Sequence, residues 1–160
     1  MPDNDAGTPQ LKFLQLNREY NFTIDVAASP YNHKLNRYYC DPKYEHVYFG
    51  SNDWPVAFDG LAQDWTGERV FCNPPYSADQ LHKWVAKAAE HKAEIAVLII
   101  PPNTSTKWFH KYIYNSILKC WRPGVDVDFP RGRWNFDSSK GLEYNNNRAD
   151  TMIVEFYALD

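Results

Sequence analysis

The sequence lacks the features of a membrane or secreted protein. Its longest uninterrupted apolar run, Ile95 to Ile100, is far shorter than the roughly 20 residues that a membrane-spanning helix needs. The first residues, Met1 to Asp5, are acidic and contain no apolar core, so they do not resemble a signal peptide. The 3 cysteines are widely spaced and odd in number, which argues against a disulfide framework. We therefore expect a protein of the reducing cytoplasm that makes no membrane contact.

Metal-binding patterns and a strong positive charge are also absent. No Cys-x-x-Cys pair occurs and the 5 histidines show no ligand spacing, so we expect no metal site. The formal net charge is −3, which argues against a protein that coats nucleic acid through bulk charge. Any nucleic-acid contact must then come from local basic patches.

The chain does contain enough apolar surface for one core. It has 160 residues, of which 44% are hydrophobic and 16% are aromatic. This length predicts a single domain, which we place at residues 8–160 after a flexible N-terminus at residues 1–7. Because a second domain does not fit, a cofactor and a substrate would have to share this one core.

The first 64 residues predict one helix and two short strands. A helical pattern begins after Thr8-Pro9, and its apolar face is predicted from Leu11, Phe13 and Leu14. Residues 22–27 are apolar and β-branched, which is typical of a strand, with Asp25 near its carboxyl end. Residues 29–64 are irregular apart from a short strand predicted at 47–49, and a loop of this length usually signals function or poor order.

A regular alternation of strands and helices begins at residue 69. Strands are predicted at residues 69–72, 95–100, 125–129 and 151–156. Of the helices between them, one is opened by a Ser77–Gln80 capping box and the other covers residues 105–118. Their apolar stripes are Leu81, Trp84, Val85 and Ala88 in the first helix, and Phe109, Ile113 and Ile117 in the second. The alternation predicts an α/β fold, a mostly parallel sheet with helices on both faces and ligands at the carboxyl ends of its strands.

The most specific motif, Asn73-Pro74-Pro75-Tyr76, directly follows the strand at residues 69–72. Asn73 offers a side-chain carbonyl and Pro74 a backbone carbonyl, and the prolines stiffen the backbone between them. These acceptors can converge on the two hydrogens of a planar amino group, which frees its delocalised lone pair for attack. The Tyr76 ring can stack on the heterocycle that carries the amino group. The structural alternative is a strand-ending turn.

This motif resembles the catalytic motif of methyltransferases that transfer a methyl group from S-adenosylmethionine to amino groups. Over about residues 8–157, the chain is similar to the small DNA N6-adenine methyltransferases of phages and prophages. The stretches that carry the similarity include Ile24 to Ser29, Asp59 to Trp65, Val70 to Ser77, Trp84 to Ala88, Leu98 to Pro101 and Arg131 to Phe136. The resemblance implies a Rossmann-like methyltransferase fold and direct methyl transfer to an adenine flipped out of double-stranded DNA.

The resemblance also implies cofactor contacts. Asp25 is expected to accept hydrogen bonds from the amino group of the cofactor, and Thr8 with Pro9 is expected to close over its carboxylate. One of Asp59 and Asp64 should contact its adenine or ribose while the other caps a turn, and we favour Asp59 for the contact. The broader superfamily has a glycine-rich turn after its first strand. Here the stretch from Ala27 to Ser29 is small enough to replace it.

Three basic clusters are candidate DNA contacts, although any one of them can equally be a solvated surface. They comprise Lys34 with Arg37, Lys107 with Lys111, and Arg131 with Arg133. Near the carboxyl ends of the strands they would form a phosphate-binding rim. Residues 30–58 and 131–148 are the sizeable segments available for reading a recognition sequence, and the protein is expected to act as a monomer or a homodimer.

Two alternatives remain open at this point. The same tetrapeptide serves any conjugated planar amine, so an enzyme that methylates RNA bases or a protein glutamine is the first. A catalytically silent DNA-binding or anti-restriction module with the same fold is the second. A titration with the cofactor separates this module from an enzyme.

Overall fold

The computed structural model describes residues 7–132, 134 and 150–160. Its strands are β1 (Ile24–Ala28), β2 (Tyr38–Cys40), β3 (Ala57–Phe58), β4 (Arg69–Cys72), β5 (Ile95–Ile100), β6 (Tyr114–Asn115), β7 (Cys120–Trp121), β8 (Val125–Asp128) and β9 (Met152–Tyr157). The helices are α1 (Gln10–Tyr20), α2 (Leu81–Ala88), the 3-10 helices Pro42–Tyr48 and Gly60–Ala62, and the π-helix Phe109–Ile113.

Seven strands form one sheet in the order β3-β2-β1-β4-β5-β9-β8, while β6 and β7 form a separate hairpin. The strands from β3 to β5 in this order are parallel, and β9 is antiparallel to both β5 and β8. The expected α/β fold with a mostly parallel sheet is confirmed. Since β8 runs in the same direction as β5, all strands except β9 end at one edge of the sheet, which we call the carboxyl edge. The opposite edge is the amino edge.

The two α-helices cover opposite faces of the sheet. Successive residues of a strand point to opposite faces, so alternate residues of β4 and β5 contact different helices. α2 packs on one face through the stripe predicted from the sequence, against strand residues such as Val70 and Leu98. α1 packs on the other face, against Phe71 and Val97. β5 lies between them and is buried at every position, as its continuous apolar sequence predicts.

The apolar face predicted for α1 is wrong. Leu11 and Leu14 are 75% and 48% exposed, and the buried residues of α1 are Phe13, Leu16 and Tyr20. These three recur at positions i, i+3 and i+7, which lie on one face of a helix, whereas Leu11 and Leu14 lie outside it.

The stretch between β1 and β4 is more regular than predicted. The strand expected at residues 47–49 is wrong, because residues 42–48 form a 3-10 helix. Asp41 caps this helix by accepting a hydrogen bond of 3.0 Å from the N–H of Lys43. β2 and β3 contain 3 and 2 residues, which is too short for a periodic pattern to predict them.

The capping box predicted for α2 is wrong as well. The helix begins at Leu81, four residues after the predicted cap, and no side chain caps it. The Ser77 carbonyl instead accepts hydrogen bonds from the N–H groups of Gln80 and Leu81, so residues 77–80 form a turn before the helix.

The helix predicted over residues 105–118 ends at Ile113. The chain then turns back into the β6–β7 hairpin. Ile117 lies in the turn of this hairpin and is 89% exposed, whereas Phe109 and Ile113 are buried as predicted. Within the described ranges, no helix combines the length and the apolar character that crossing a membrane requires.

Candidate active site

The Asn73-Pro74-Pro75-Tyr76 motif leaves β4 at the carboxyl edge and leads towards α2. The Tyr76 hydroxyl donates a hydrogen bond of 2.7 Å to the carbonyl oxygen of Ile99 and lies 3.0 Å from Asn73 Oδ1. Burial raises the pKa of Tyr76, so the hydroxyl keeps its hydrogen. The motif is therefore tied to β5. Asn73 Oδ1 has two lone pairs and can accept from a ligand as well.

A cavity of about 370 Å³ opens at the carboxyl ends of the first strands, and we call it the β1–β4 cavity. Asp41, which directly follows β2, and Asp59, which directly follows β3, both line it. Trp84 also lines it, and its buried indole N–H has no hydrogen-bond partner among the described residues. The cavity thus offers the carboxylates of Asp41, Asp59 and Asp79 as acceptors, and Trp84 in its wall carries an unused donor. No group of three or more His, Cys, Asp or Glu in the described part of the chain could hold a metal ion.

Gly60 allows the backbone after β3 to touch the backbone of β1. A Cβ atom at this position would lie 2.0 Å from the Val26 carbonyl oxygen and 3.1 Å from the Trp84 ring. Only glycine permits this approach. Gly60 also lines the β1–β4 cavity, so this close approach fixes the position of the backbone in the cavity wall.

A second and much smaller cavity adjoins Asn73, and we call it the Asp25 cavity. Asp25 is the second residue of β1, not near its carboxyl end as predicted, and is 2% exposed. Its carboxylate accepts a hydrogen bond of 2.9 Å from the N–H of Lys34. Burial raises the pKa of Asp25 to about 7, outweighing the lowering by this hydrogen bond. A cation bound beside it would favour its ionised form.

The residues before α1 complete the wall of the Asp25 cavity. Thr8 lines it, and the buried Thr8 hydroxyl has no hydrogen-bond partner among the residues that the structure describes. Such a hydroxyl is costly unless a ligand satisfies it. Gly7, predicted to belong to the flexible N-terminus, is buried and lines the same cavity. Pro9 is half-buried and leads directly into α1.

The two cavities adjoin at the end of β1. Ala27 and Asn32 line both of them. A ligand that reached from the β1–β4 cavity to Asp25 and Asn73 would pass the small Ala27 side chain, and the Asp25 cavity, of about 10 Å³, would have to widen to admit it. A larger side chain at position 27 would fill this passage.

The turn after β1 is built by side-chain hydrogen bonds and contains no glycine. Asn32 Oδ1 accepts a hydrogen bond of 2.8 Å from the N–H of Ser29. Ser29 Oγ accepts one of 3.2 Å from the N–H of Tyr31. Serine and asparagine side chains commonly mimic a backbone turn in this way. The chain thus turns beside the cavities without a glycine-rich sequence.

Comparison with known families identifies the class of enzyme. The model of the DNA N-6-adenine-methyltransferase (Dam) family matches residues 3–158. The chain belongs to the DNA N-6-adenine-methyltransferase family. The family and the enzyme class expected from the sequence, an adenine-specific DNA methyltransferase, are confirmed.

The fold of this methyltransferase is also that of a solved structure. PH1948 from Pyrococcus horikoshii, a candidate RNA methyltransferase, matches it with a TM-score of 0.53 over 94% of this chain and 83% of the other. The two sequences are 15% identical, so the likeness concerns the fold alone. It confirms the expected methyltransferase fold. No curated protein sequence matches the chain.

The two aspartates considered for the adenosine part of the cofactor differ in position. Asp59 lines the β1–β4 cavity. The Asp64 carboxylate instead accepts hydrogen bonds from the N–H and the hydroxyl of Thr66, at 2.9 and 2.6 Å. These bonds lower the pKa of Asp64. Asp64 therefore holds a local turn of the methyltransferase, and the cofactor contact of Asp59 stays a prediction.

The first basic cluster does not face DNA in the way that the sequence predicts. Arg37 lies at the amino edge, where it donates hydrogen bonds of 2.8 and 2.9 Å to Glu68 and one of 3.0 Å to the Thr23 carbonyl. It is therefore on the wrong side of the sheet for a DNA contact beside Asn73. Lys34 is half-buried and lines the Asp25 cavity, next to the proposed cofactor path.

The other basic residues lie where a DNA rim is expected. Lys107 follows the carboxyl end of β5, Lys111 lies one turn later, and Arg131 follows the carboxyl end of β8. All three are exposed. Arg133 lies outside the described residues, as does most of the candidate recognition segment 131–148. Segment 30–58 contains β2, the first 3-10 helix and β3.

Three residues of the site are not assigned to it by the sequence. Asp41 follows β2, a strand too short to predict, so its position after a strand is not visible in the sequence. Gly60 is visible only as part of the family stretch, because its role is a backbone approach between distant segments. Trp84 is predicted as core, and it is core, but it also lines the β1–β4 cavity.

Proposed function

We propose that the chain transfers the methyl group of S-adenosylmethionine to N6 of an adenine flipped out of double-stranded DNA, at a specific sequence. The observation that carries the proposal is the meeting of the β1–β4 cavity and the Asp25 cavity at Ala27, with Asn73 at the inner end. Together the cavities offer an elongated ligand the polar groups that this methyl donor requires. The enzyme would act in the bacterial cytoplasm, as a monomer or a homodimer.

The β1–β4 cavity suits the adenosine half of the cofactor. We assign the ribose hydroxyls to the Asp41 carboxylate, which binds one backbone N–H and keeps further lone pairs. The adenine amino group is assigned to Asp59. Gly60 and Trp84 line the same cavity and would flank the adenine ring.

The Asp25 cavity carries polar groups that match the methionine half, and at about 10 Å³ its walls would have to move apart to admit it. An ammonium group beside Asp25 would hold its carboxyl group in the ionised form. The Thr8 hydroxyl, which lacks a partner among the described residues, can donate to the carboxylate. Lys34 lines the same cavity and supplies a positive charge. Opposite charges within such a small and buried space contribute more than they would in water.

Asn73 and Pro74 would bind the target amine. The Asn73 side-chain carbonyl and the Pro74 backbone carbonyl accept its two hydrogens, which directs the nitrogen lone pair towards the methionine side of the site. When bound, S-adenosylmethionine supplies an electrophilic methyl group on a sulfonium. The Tyr76 ring stacks on the flipped adenine, which contributes roughly 1–3 kcal/mol towards a flipping cost of a few kcal/mol.

Duplex DNA would lie across the carboxyl edge. Lys107, Lys111 and Arg131 are exposed there and can bind phosphates. Because the whole chain carries a net charge of −3, binding depends on this local concentration of positive charge.

The test is incubation of the protein with methyl-labelled S-adenosylmethionine and unmodified duplex DNA, followed by nucleoside analysis. We expect label in N6-methyladenine alone. Asn73→Ala should lower the methylation rate by about 100-fold or more, since a preorganised transition-state hydrogen bond is lost. Calorimetry should show nearly unchanged cofactor binding by this variant.

Other outcomes would contradict the proposal in distinct ways. In parallel incubations with RNA or with a protein, label in an RNA base or in a glutamine side chain, and none in DNA, would show that DNA is not the substrate. Cofactor binding without any transfer, or no cofactor binding at all, would indicate a catalytically silent module. An Asn73→Ala variant with a near-normal rate would remove the catalytic role of the motif.

A further inference from the structure

The tip of the β6–β7 hairpin exposes two adjacent aliphatic side chains. Ile117 is 89% exposed, the highest value among the large hydrophobic residues of the described part, and Leu118 is 70% exposed. Single exposed aliphatic residues are common on protein surfaces. Ile117 and Leu118 are neighbours at the end of a projecting turn. They form a small exposed apolar patch, which can be buried only against another molecule.

This tip is held in one conformation. Asn115 Oδ1 accepts hydrogen bonds of 3.0 Å from the N–H groups of both Ile117 and Leu118. The strands below are paired at Tyr114 with Trp121, whose rings lie 5.3 Å apart. Binding through the tip therefore requires little loss of conformational freedom.

The hairpin extends back towards the carboxyl edge. Its base is closed at the end of the π-helix, where the Arg122 N–H donates 2.8 Å to the Ile113 carbonyl. From there, the Tyr114 ring returns to within 6.0 Å of Phe109, the first residue of the π-helix. The Trp121 ring lies 6.4 Å from Phe129, which directly follows the carboxyl end of β8. The base of the hairpin is thus joined to residues that follow the carboxyl ends of β5 and β8, the edge at which Asn73 lies.

The charges around the tip favour a nucleic acid as its partner. Lys119 directly follows the two aliphatic residues and is exposed. Lys111, in the π-helix that β6 contacts, is exposed, and so is Lys107 just before that helix. An apolar point beside ammonium groups matches a DNA duplex, in which stacked bases lie between rows of phosphates.

We propose that Ile117 and Leu118 form a wedge that enters the duplex beside the target adenine and occupies space that the flipped base leaves. The proposal rests on the function proposed above, because only a base inside a duplex has to be extracted. Proteins use aliphatic side chains as wedges between base pairs in this way, and the unstacking costs a few kcal/mol per step. The wedge stabilises the opened duplex and leaves the chemistry at Asn73 unchanged.

The test compares two DNA substrates. In one, the target adenine is paired with thymine, and in the other it faces an abasic site, where extraction is easier. Ile117→Ser with Leu118→Ser should lower kcat/KM on the paired duplex by about tenfold or more and on the abasic duplex by less than about threefold. 2-Aminopurine at the target position should show a weaker fluorescence increase on binding of this variant to the paired duplex. Ile117→Leu should keep the wild-type behaviour on both substrates.

Leu159→Ser is the control, since Leu159 is a 49% exposed aliphatic residue that follows β9 at the amino edge, outside the proposed cofactor and DNA contacts. It should change kcat/KM on neither substrate.

Equal losses of kcat/KM on both substrates, or no loss on either, would overturn the wedge. A fall in molar mass of the Ile117→Ser, Leu118→Ser variant by light scattering would assign the tip to a contact between copies instead. A wild-type protein that methylates neither substrate would overturn the proposed function, and the wedge with it.

Discussion

At the scale of single residues, the hydroxyl of Tyr76 has a role separate from that of its ring. It is bound to the Ile99 carbonyl and lies beside Asn73, so it holds in place the Asn73 side chain and its own ring, the two groups that we propose contact the target base. Tyr76→Phe keeps the stacking ring but loses these contacts. We expect kcat to fall by about tenfold, the value of one hydrogen bond of about 1.4 kcal/mol, with unchanged cofactor affinity.

Tyr48→Phe is the matched control for this prediction. It removes a buried hydroxyl that lies 2.6 Å from the Tyr38 hydroxyl. Urea unfolding should show a loss of stability, while kcat should stay at the wild-type value. A Tyr76→Phe enzyme with normal kcat would show that the ring alone positions the base.

Asp25 gives the site a pH dependence. Its pKa is raised to about 7, so below pH 7 it is mostly neutral, and binding the cofactor ammonium must first release its proton. Cofactor affinity should therefore rise between pH 5.5 and 7. Calorimetry in buffers of different ionisation enthalpy should detect proton release in this range. Asp25→Asn should bind more weakly and show neither effect, whereas a wild-type affinity independent of pH would contradict the assignment.

Asp25 also makes the stability of the cofactor-free protein depend on pH, and here a rise in pH lowers the free energy of unfolding. Between pH 4 and 7 the unfolded chain has lost the Asp25 proton while the folded protein retains it. The contribution of Asp25 to the free energy of unfolding therefore falls as pH rises, by up to about 1.4 kcal/mol per pH unit. Comparing the urea-unfolding curves of the wild type and Asp25→Asn across this range isolates the contribution. Cofactor-free Asp25→Asn should lose less stability on going from pH 4 to 7.

At the scale of elements, the close approach at Gly60 couples the second 3-10 helix to β1. Gly60→Ala places a methyl group against the Val26 carbonyl, so the helix must move away. We expect a loss of about 1–3 kcal/mol in stability and a weaker affinity for the cofactor. Gly50→Ala is the control, because its Cβ would meet nothing within 4 Å and only its positive φ of 82° is strained. It should leave cofactor affinity unchanged.

Element by element, the sequence predicts what local periodicity or a motif determines. The strand at residues 95–100 and the stripe on α2 are predicted, since a continuous apolar run and a spacing of 3 and 4 residues are local signals. The sequence does not predict the hairpin at residues 114–121. Ile117 continues the helical spacing of Phe109 and Ile113, so the pattern favours a longer helix there. Asp41 is missed for a related reason: its significance depends on β2, which exists only through its pairing with β1 and β3.

At the scale of the whole molecule, the distribution of charge matters more than its sum. Lys107→Ala with Arg131→Ala should weaken DNA binding similarly across sequences, because phosphate contacts position DNA without reading it. The slope of log affinity against log salt should shrink by about one unit for each lost contact. Arg37→Ala, at the amino edge, should leave the slope unchanged. A changed sequence preference with an unchanged slope would mean that the substituted side chains read bases.

The position of β9 between β5 and β8 has a consequence for how such an enzyme can change its target. β8 and β9 are hydrogen-bonded neighbours, so the ends of their connection are held about 5 Å apart whatever sequence lies between them. Doubling the length of a flexible connection costs only about 0.6 kcal/mol in closure entropy. We therefore expect residues 135–148, which we propose take part in reading the recognition sequence, to be exchangeable while Trp134 stays buried in the core beside α1 and the sheet that carries Asn73 and Asp25 is kept. The recognised DNA sequence would then change through this one connection, while the strands that carry the catalytic and cofactor-binding residues are kept.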